Sequence, residues 1–475
     1  MSFRFRVPWA AARCGLLMAA CGFSPFISQS QVRSAPILFD VIVTAAPAYD
    51  PLAALRGGER FPKGAQLLLI HEGKSQPLVP GFAASADASI SFEGDKVLFS
   101  GKKTSADPWQ IWELTLVDRN VRQVVTSGTD AIRPLYLPAW RLVYAQRTPR
   151  GFQLQSSRLV ESKALEQIEG PAAKPNFPLT HAGLSAIPSD VLADGRILFE
   201  SGFPLGEGKT PELFLVYSDG SGVESYRCDH PAKTIDGRWG GRQLKSGDVV
   251  FTHGTSLARF TSPLGQEERV AAPRAEYAGA IAETASGEWL VSARVSATAG
   301  YALRLWRPGS SAMQTVLAQN DMNLLDPVLI APRNRPRRHP SALHDWDYAN
   351  LLALDARLSR DGPLKGAPVS VRLETQDASG NAVSMGAAPV EADGSFFVKA
   401  PSDRAIRFVL LNAKGEVLRQ EHGWFWIRSG EQRYCVGCHA GPERAPENRV
   451  PKVLLRTTTP VDLTGTSPQV HKGGN

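Results

Sequence analysis

The chain has 475 residues, 43% hydrophobic and 21% charged. This is a globular composition that excludes a disordered chain, and the length excludes a single ordinary domain. The net charge of +7 draws on Arg333, Arg335, Arg337 and Arg338 in one short run. That run reads as a solvated linker, and no nucleic-acid partner is expected.

Residues 1–30 have the form of an export signal. Arg4, Arg6 and Arg13 supply a positive start. Cys14 to Ala20 is an apolar stretch too short to span a bilayer. Leu17 to Cys21 resembles a lipobox, in which Cys21 would be lipidated and anchor the protein to a membrane. Ordinary cleavage near Ser30 or Ala35 is the alternative. Either route places the mature protein outside the inner membrane, as a periplasmic protein or a membrane-anchored lipoprotein. No other stretch reaches ~18 uninterrupted apolar residues, so no internal transmembrane helix is expected.

Residues 36–332 contain a recurring strand–turn–strand unit. It is seen at Ser89 to Phe99, Leu135 to Tyr144, Ser189 to Phe199, Arg242 to Phe251 and Ile281 to Val291. Lys96, Arg141, Arg196, Asp248 and Glu288 mark equivalent positions, separated by 45, 55, 52 and 40 residues. Further apolar runs follow at Gln110 to Val117, Phe152 to Val160, Glu212 to Tyr217, Ser256 to Phe260 and Ala302 to Trp306. Four strands at this period are what a propeller blade needs. Gln66 to Ile70 and Pro327 to Ile330 are left over, and together they predict a sixth blade closed by strands from both ends, with no exposed sheet edge. The Phe92-Glu93-Gly94-Asp95-Lys96 and Ala193 to Phe199 units resemble the repeats of TolB-type propellers. His181, His253 and Trp239 fall near strand starts, where a propeller's loops gather at its axis; each is a blade-packing residue or a candidate site residue.

Residues 333–345 read as an extended, exposed linker. In residues 346–434, strands are expected at Leu351 to Arg357, Val369 to Glu374, Ser395 to Lys399, Ile406 to Asn412 and Glu416 to Arg419, which is a β-sandwich pattern. Trp424-Phe425-Trp426-Ile427 reads as an alternating strand whose aromatics pack on a cofactor or in the sandwich core. Residues 435–475 form a tail in which Pro442, Pro446, Pro451, Pro460 and Pro468 forbid a long helix. The fold class expected is therefore all-β: a six-bladed propeller, then a small β-sandwich-like domain.

The tail opens on Cys435-Val436-Gly437-Cys438-His439, the CxxCH signature of a c-type haem. Two thiols at this spacing can form thioethers to the two haem vinyl groups, and the adjacent imidazole can become the proximal iron ligand. A structural zinc site would want two more ligands, and a redox CxxC would want a thioredoxin-like unit; Cys228, the other internal cysteine, lies far away. One covalent haem c is expected on Cys435 and Cys438, with His439 on the iron. Candidate distal ligands are Met385, His344, His422 and His471, with His422 first because it precedes the aromatic run that feeds the motif.

A propeller followed by a β-rich module ending in Gly430-Glu431-Gln432-Arg433-Tyr434-Cys435-Val436-Gly437-Cys438-His439 resembles the hydrazine synthase alpha subunit family, specifically over Ser429 to Pro451. That resemblance implies a haem-bearing module. In the family the corresponding iron is bound by a tyrosine four residues after the motif histidine; here that position is Glu443, and hydrazine chemistry is not expected. Three functions are compatible with the sequence. One is an exported monohaem cytochrome that passes electrons to a redox partner or serves as the haem subunit of a larger complex. Another is a haem enzyme acting on a small molecule, such as a nitrogen compound or peroxide. The third is a propeller-based binding scaffold.

Overall fold

Every strand–turn–strand unit of the repeat region closes as the first hairpin of a four-stranded antiparallel sheet. A computed structural model of the chain describes residues 39–160, 175–181, 185–202, 211–226, 237–359, 362–421, 423–437 and 448–465. The expected export signal and Cys21 lie outside the described residues, as do Cys228, His422, Cys438, His439, Glu443 and His471.

Five sheets follow one another along the chain, with first strands Ala84–Ile90, Ala131–Leu137, Ala186–Val191, Arg238–Gln243 and Glu276–Glu283. A further sheet joins the two ends of the array. In it Val41–Ala46 pairs with Gln66–His71 on one side and with Asn323–Leu329 on the other. The two leftover runs of the sequence thus share one sheet. Val41–Ala46 between them was not anticipated, although its run Val41-Ile42-Val43 has strong strand propensity. Numbering this sheet first, apolar cores fill the spaces between sheets one and two, two and three, and so on, until the sixth packs back on the first. The first strands touch in the same cycle, Asn323–Leu329 meeting both Glu276–Glu283 and Ala84–Ile90. This is the arrangement of a β-propeller.

The pairing register breaks in the innermost strand of all six sheets. Such a bulge re-aims a residue and bends its strand. At five of the six breaks the backbone is left-handed: Asp87 (57°), Arg133 (53°), Asp326 (50°), Gly240 (68°) and Gly279 (68°). These bulges hold a buried polar ring. Arg60, from the loop after Val41–Ala46, donates to Asp87 Oδ1 (2.5 Å) and Asp326 Oδ2 (2.8 Å). Ser100 Oγ donates to Asp87, the Ala280 amide to Asp326, and the Gly240 amide to Glu200 (2.7 Å). Arg133 Nη1 lies 3.4 Å from Glu200 and Nη2 4.0 Å from Asp326. Against this ring, Tyr49, Leu55 and Phe61 of the same loop pack on Ile132, Ile187, Ala278 and Leu325. The neighbouring guanidinium groups hold the Asp326 carboxyl well below its ordinary range against the opposing effect of burial.

The segment after the array is extended and largely exposed, as expected of a linker, but it is pinned to the propeller at several points. The Arg333 amide donates to the Phe92 carbonyl and the Arg337 amide to Ala193. The Arg333 guanidinium lies over the Phe92 ring, and His339 stacks on Tyr217 at 3.8 Å. Of its four arginines Arg333 thus lies against the second sheet, while Arg335, Arg337 and Arg338 are exposed.

The second module has two four-stranded sheets around a core of Leu351, Val371, Leu373, Phe396, Val398, Phe408 and Ile427. Two corrections apply here. Trp424 to Ile427 is no regular strand and makes only an isolated bridge, Phe425 to Ile406. Ala382–Pro389, rich in alanine, glycine and exposed side chains, is a strand that propensity did not indicate. The tail carries only one short helix among the described residues, Lys452–Arg456, as its prolines require.

The buried ring generates a stability prediction. Removing one partner from a desolvated ion pair leaves the others uncompensated. Arg60→Ala should lower the unfolding free energy by about 3–5 kcal/mol, measured by urea denaturation. Arg307→Ala, which breaks an exposed pair with Glu288, should change it by less than ~1 kcal/mol.

Candidate functional site

The first residues of the CxxCH motif are placed by a sheet edge. Gln432–Cys435 pairs in parallel with Tyr348–Ala353, putting Cys435 opposite Ala353. The Leu354 amide donates to the Cys435 carbonyl (2.8 Å) and the Asp355 amide to Val436 (3.2 Å). Gly437 then runs so close to the next turn that an added Cβ would lie 2.7 Å from the Leu358 carbonyl oxygen. Only glycine fits there, which explains the second interior residue of the motif. At the opposite edge of this sheet, Val461–Asp462 pairs in parallel with Val398 and Lys399. Before it, helix Lys452–Arg456 is seated by its Lys452 amide on Asp393 (2.8 Å) and its Val453 amide on Ser395 Oγ (3.1 Å). Arg449 also bonds Asp393. The segment that carries Cys438 and His439 therefore leaves one edge of a sheet and returns to the other.

Cys435 is half-buried and packs against the core of the second module. Burial pushes its thiol up, opposed by the Arg433 guanidinium beside it. Arg433 Nη1 is buried and makes no hydrogen bond, with Glu431 Oε1 3.5 Å away. Tyr434, on the alternate face, is 67% exposed. Two thiols and an imidazole in CxxCH order, with an orphaned guanidinium nitrogen next to the first cysteine, fit a haem and its carboxylate substituents. Among the described residues no group of three His, Cys, Asp or Glu side chains is arranged to hold a metal ion. Nor is any helix among them long and apolar enough to cross a membrane.

The segment before the motif is strapped to the propeller. Arg428 Nε donates to the Asp219 carbonyl (3.0 Å), and Trp426 Nε1 to Gly220 (3.2 Å). The Gly222 amide donates to Glu431 Oε1 (3.2 Å), and Arg433 bonds the Val223 carbonyl. Trp426 and Trp424 pack with the third and fourth sheets, while Phe425 also meets Phe408 in the second module. The aromatic run thus packs largely on the propeller, a partner that sequence reasoning did not consider. Gly430, at φ 78°, lets the strap turn against His344, whose backbone would collide with any Cβ there.

The candidate histidines separate. His181 sits at the strap: its Nε2 accepts from Arg428 Nη1 (3.0 Å), which also binds Asp403 Oδ1 (2.6 Å). His253 Nδ1 lies 2.5 Å from Glu267, which is also held by Arg238. Trp239 is buried in an inner strand, its Nε1 without a partner. His344 Nε2 lies 2.9 Å from Gln432 Nε2, and its ring stacks on Trp346 at 4.2 Å. Met385 packs against the core of the second module and Gly465. Sequence reasoning missed Arg60, Asp87, Arg133, Glu200 and Asp326. For all but Arg60, which lies in a loop, the signal is a charged residue inside an otherwise apolar strand, as in Leu324-Leu325-Asp326-Pro327-Val328-Leu329. It also missed Arg428, which carries no local signal.

Residues 368–440 match the family model of the hydrazine synthase alpha subunit middle domain; the match ends one residue past His439. Hydrazine synthase from Kuenenia stuttgartiensis has a similar solved structure, with a TM-score of 0.76 at 16% identity, covering 88% of this chain and 71% of that one. TolB from Acinetobacter baumannii matches more weakly, with a TM-score of 0.44 at 10% identity over 62% of this chain and 67% of that one. No curated protein matches the chain in sequence. The resemblance to the hydrazine synthase alpha subunit family read from Gly430 to His439 is borne out.

The strap generates a pH prediction. Burial lowers the His181 pKa to about 4, with Arg428 acting the same way and Asp403 opposing. The unfolded chain takes up this proton near pH 6.5 and the folded chain only near 4, so folding releases a proton in between. This contribution is full above about pH 6.5 and is lost, by up to roughly 3 kcal/mol, as pH falls toward 4. His181→Gln should remove that part of the acid dependence in urea midpoints measured across the range.

Proposed function

We propose that this hydrazine synthase alpha-like chain is an exported monohaem c-type cytochrome. It passes electrons to a redox partner protein or small molecule, or serves as the haem-bearing subunit of a redox complex. The observation that carries the reading is the CxxCH segment, which starts on a sheet edge and lies within the part of the chain matching the family model. Cys435 and Cys438 would attach one haem c, and His439 would be its proximal ligand. A bound haem c supplies a one-electron couple at its iron. The protein's part is to fix the start of the motif on an edge strand, to fasten the segment before it to the propeller through Trp426 and Arg428, and to offer Arg433 as a cation beside the first attachment point. His422 is proposed as distal ligand. Among the described candidates, His344 is engaged by Gln432 and Trp346, and Met385 by the core.

The same reading takes the propeller as six-bladed and closed by the sheet that joins its two ends, with residues 36–332 as one domain, residues 346–434 as a second and residues 333–345 joining them. Export follows from residues 1–30, the mature protein being periplasmic or anchored through a lipidated Cys21. A second reading, a haem enzyme acting on a small molecule, draws on the match to a subunit of hydrazine synthase. The iron's coordination separates the two, because electron transfer suits a filled sixth position and catalysis needs an open one.

Two outcomes are expected. Haem-peroxidase staining of denaturing gels should show a band for the wild type that is lost in the Cys435→Ala, Cys438→Ala double variant; a surviving band refutes covalent attachment. The visible spectrum should be low-spin and slow to respond to carbon monoxide. His422→Ala should make it high-spin and fast. A wild-type protein that is already high-spin and fast would overturn the carrier reading in favour of the enzyme.

A further inference from the structure

The third sheet turns differently from its neighbours. At the corresponding turn, the second, fourth, fifth and sixth sheets use Gly94, Gly195, Gly247 and Gly287, all at positive φ. The third instead joins Leu137 to Arg141 through Pro138, Ala139 and Trp140, with Ala139 at 61° and Trp140 at 56°. A bulky side chain in the left-handed region is a strained outlier, and such outliers gather at functional sites. Trp140 is also 53% exposed, so core packing does not account for it.

Trp140 borders a cavity of about 270 Å³ between the second and third sheets, room for a molecule of monosaccharide size. The floor is polar and preset. Glu113, 4% exposed, accepts from Tyr136 Oη (3.0 Å) and Arg122 Nε (2.7 Å). Arg335, reaching in from the segment after the array, pairs with Glu93 at the rim. With Asp95 and Lys96 the lining holds three carboxylates and three cations. That balance favours neither an anion nor a cation. A half-exposed tryptophan beside a mixed set of donors and acceptors instead matches a neutral ring with one apolar face and a rim of hydroxyl groups.

We propose that this cavity is a binding site for a saccharide, whose ring stacks on Trp140 while its hydroxyls are read by Arg122, Arg335 and the flanking carboxylates. The strained turn then has a role: it projects an indole where glycine would leave the cavity without a wall.

The test uses the full-length protein and saturation-transfer NMR with glucose, N-acetylglucosamine and maltose. Benzamidine and benzoate serve as charged aromatic controls. At least one saccharide should bind in preference to both controls. Trp140→Gly should weaken that binding at least about tenfold while leaving the melting temperature unchanged or raised, since it relieves the turn. Trp140→Asn, another residue that tolerates the left-handed region, should do the same. Absence of saccharide binding, saccharide binding that survives both substitutions, or a Trp140-dependent preference for either charged control would each overturn the proposal.

Discussion

The propeller depends on the buried contact of Arg60 with Asp87 and Asp326. Six separate sheets packed face to face would have no polar register around their common centre, because apolar contacts between sheets are non-directional. The ring provides one. Asp326 belongs to the last strand of the array and Asp87 to its second sheet, while Arg60 comes from the loop that leaves the first. A single guanidinium thus ties the two ends of the array together at the centre. Ion pairs at this depth add little net stability over an apolar replacement, but they tolerate few alternative arrangements. The bulges make the ring possible, because a regular strand would keep Asp87, Arg133 and Asp326 in the alternating pleat instead of swinging them inward.

The second module solves a different problem. A short CxxCH segment must be held with little helix, because the prolines of the tail allow only Lys452–Arg456 among the described residues. The sheet supplies the support from both sides: Gln432–Cys435 forms one edge and Val461–Asp462 the other. Asp393 reinforces the return. Burial works to raise its carboxyl, but hydrogen bonds from the Ser395 hydroxyl, the Lys452 and Ser395 amides and Arg449 together hold it well below the ordinary range.

The sequence disclosed the repeats because strand periodicity and tight-turn residues are local signals, and the CxxCH spacing can be read without tertiary context because its two thiols and imidazole are neighbours in the chain. Val41–Ala46 escaped because it lies outside the repeating unit. Trp424 to Ile427 was misread as a strand because alternating aromatics look the same whether they pair with a strand or, as Trp424 and Trp426 do, pack on another domain. Arg60 and Arg428 were illegible for a related reason: their partners stand 27 and 266 residues away for Arg60 and 209 away, at Asp219, for Arg428. No local pattern encodes such distances. The arginines after the array looked solvated by composition, yet Arg333 lies over the Phe92 ring.

The strap also bears on why the likeness to hydrazine synthase is strong in fold and sparse in sequence. On the module side the contacts are made by the side chains of Trp426, Arg428, Glu431 and Arg433. On the propeller side they are made by backbone atoms of Asp219, Gly220, Gly222 and Val223, with one side chain, the His181 ring, that accepts from Arg428. A backbone carbonyl is offered whatever residue carries it. At Asp219 and Val223 the propeller's turn can therefore change its side chains and keep the joint, whereas Gly220 and Gly222 are held by their positive φ and by the Arg428 and Tyr217 side chains close beside them. The module cannot change these four residues without losing a hydrogen bond or a buried charge. Most of the side chains that make this joint thus belong to the module that carries the CxxCH motif. That is where the family model matches, over residues 368–440, while the structural likeness spans 88% of the chain.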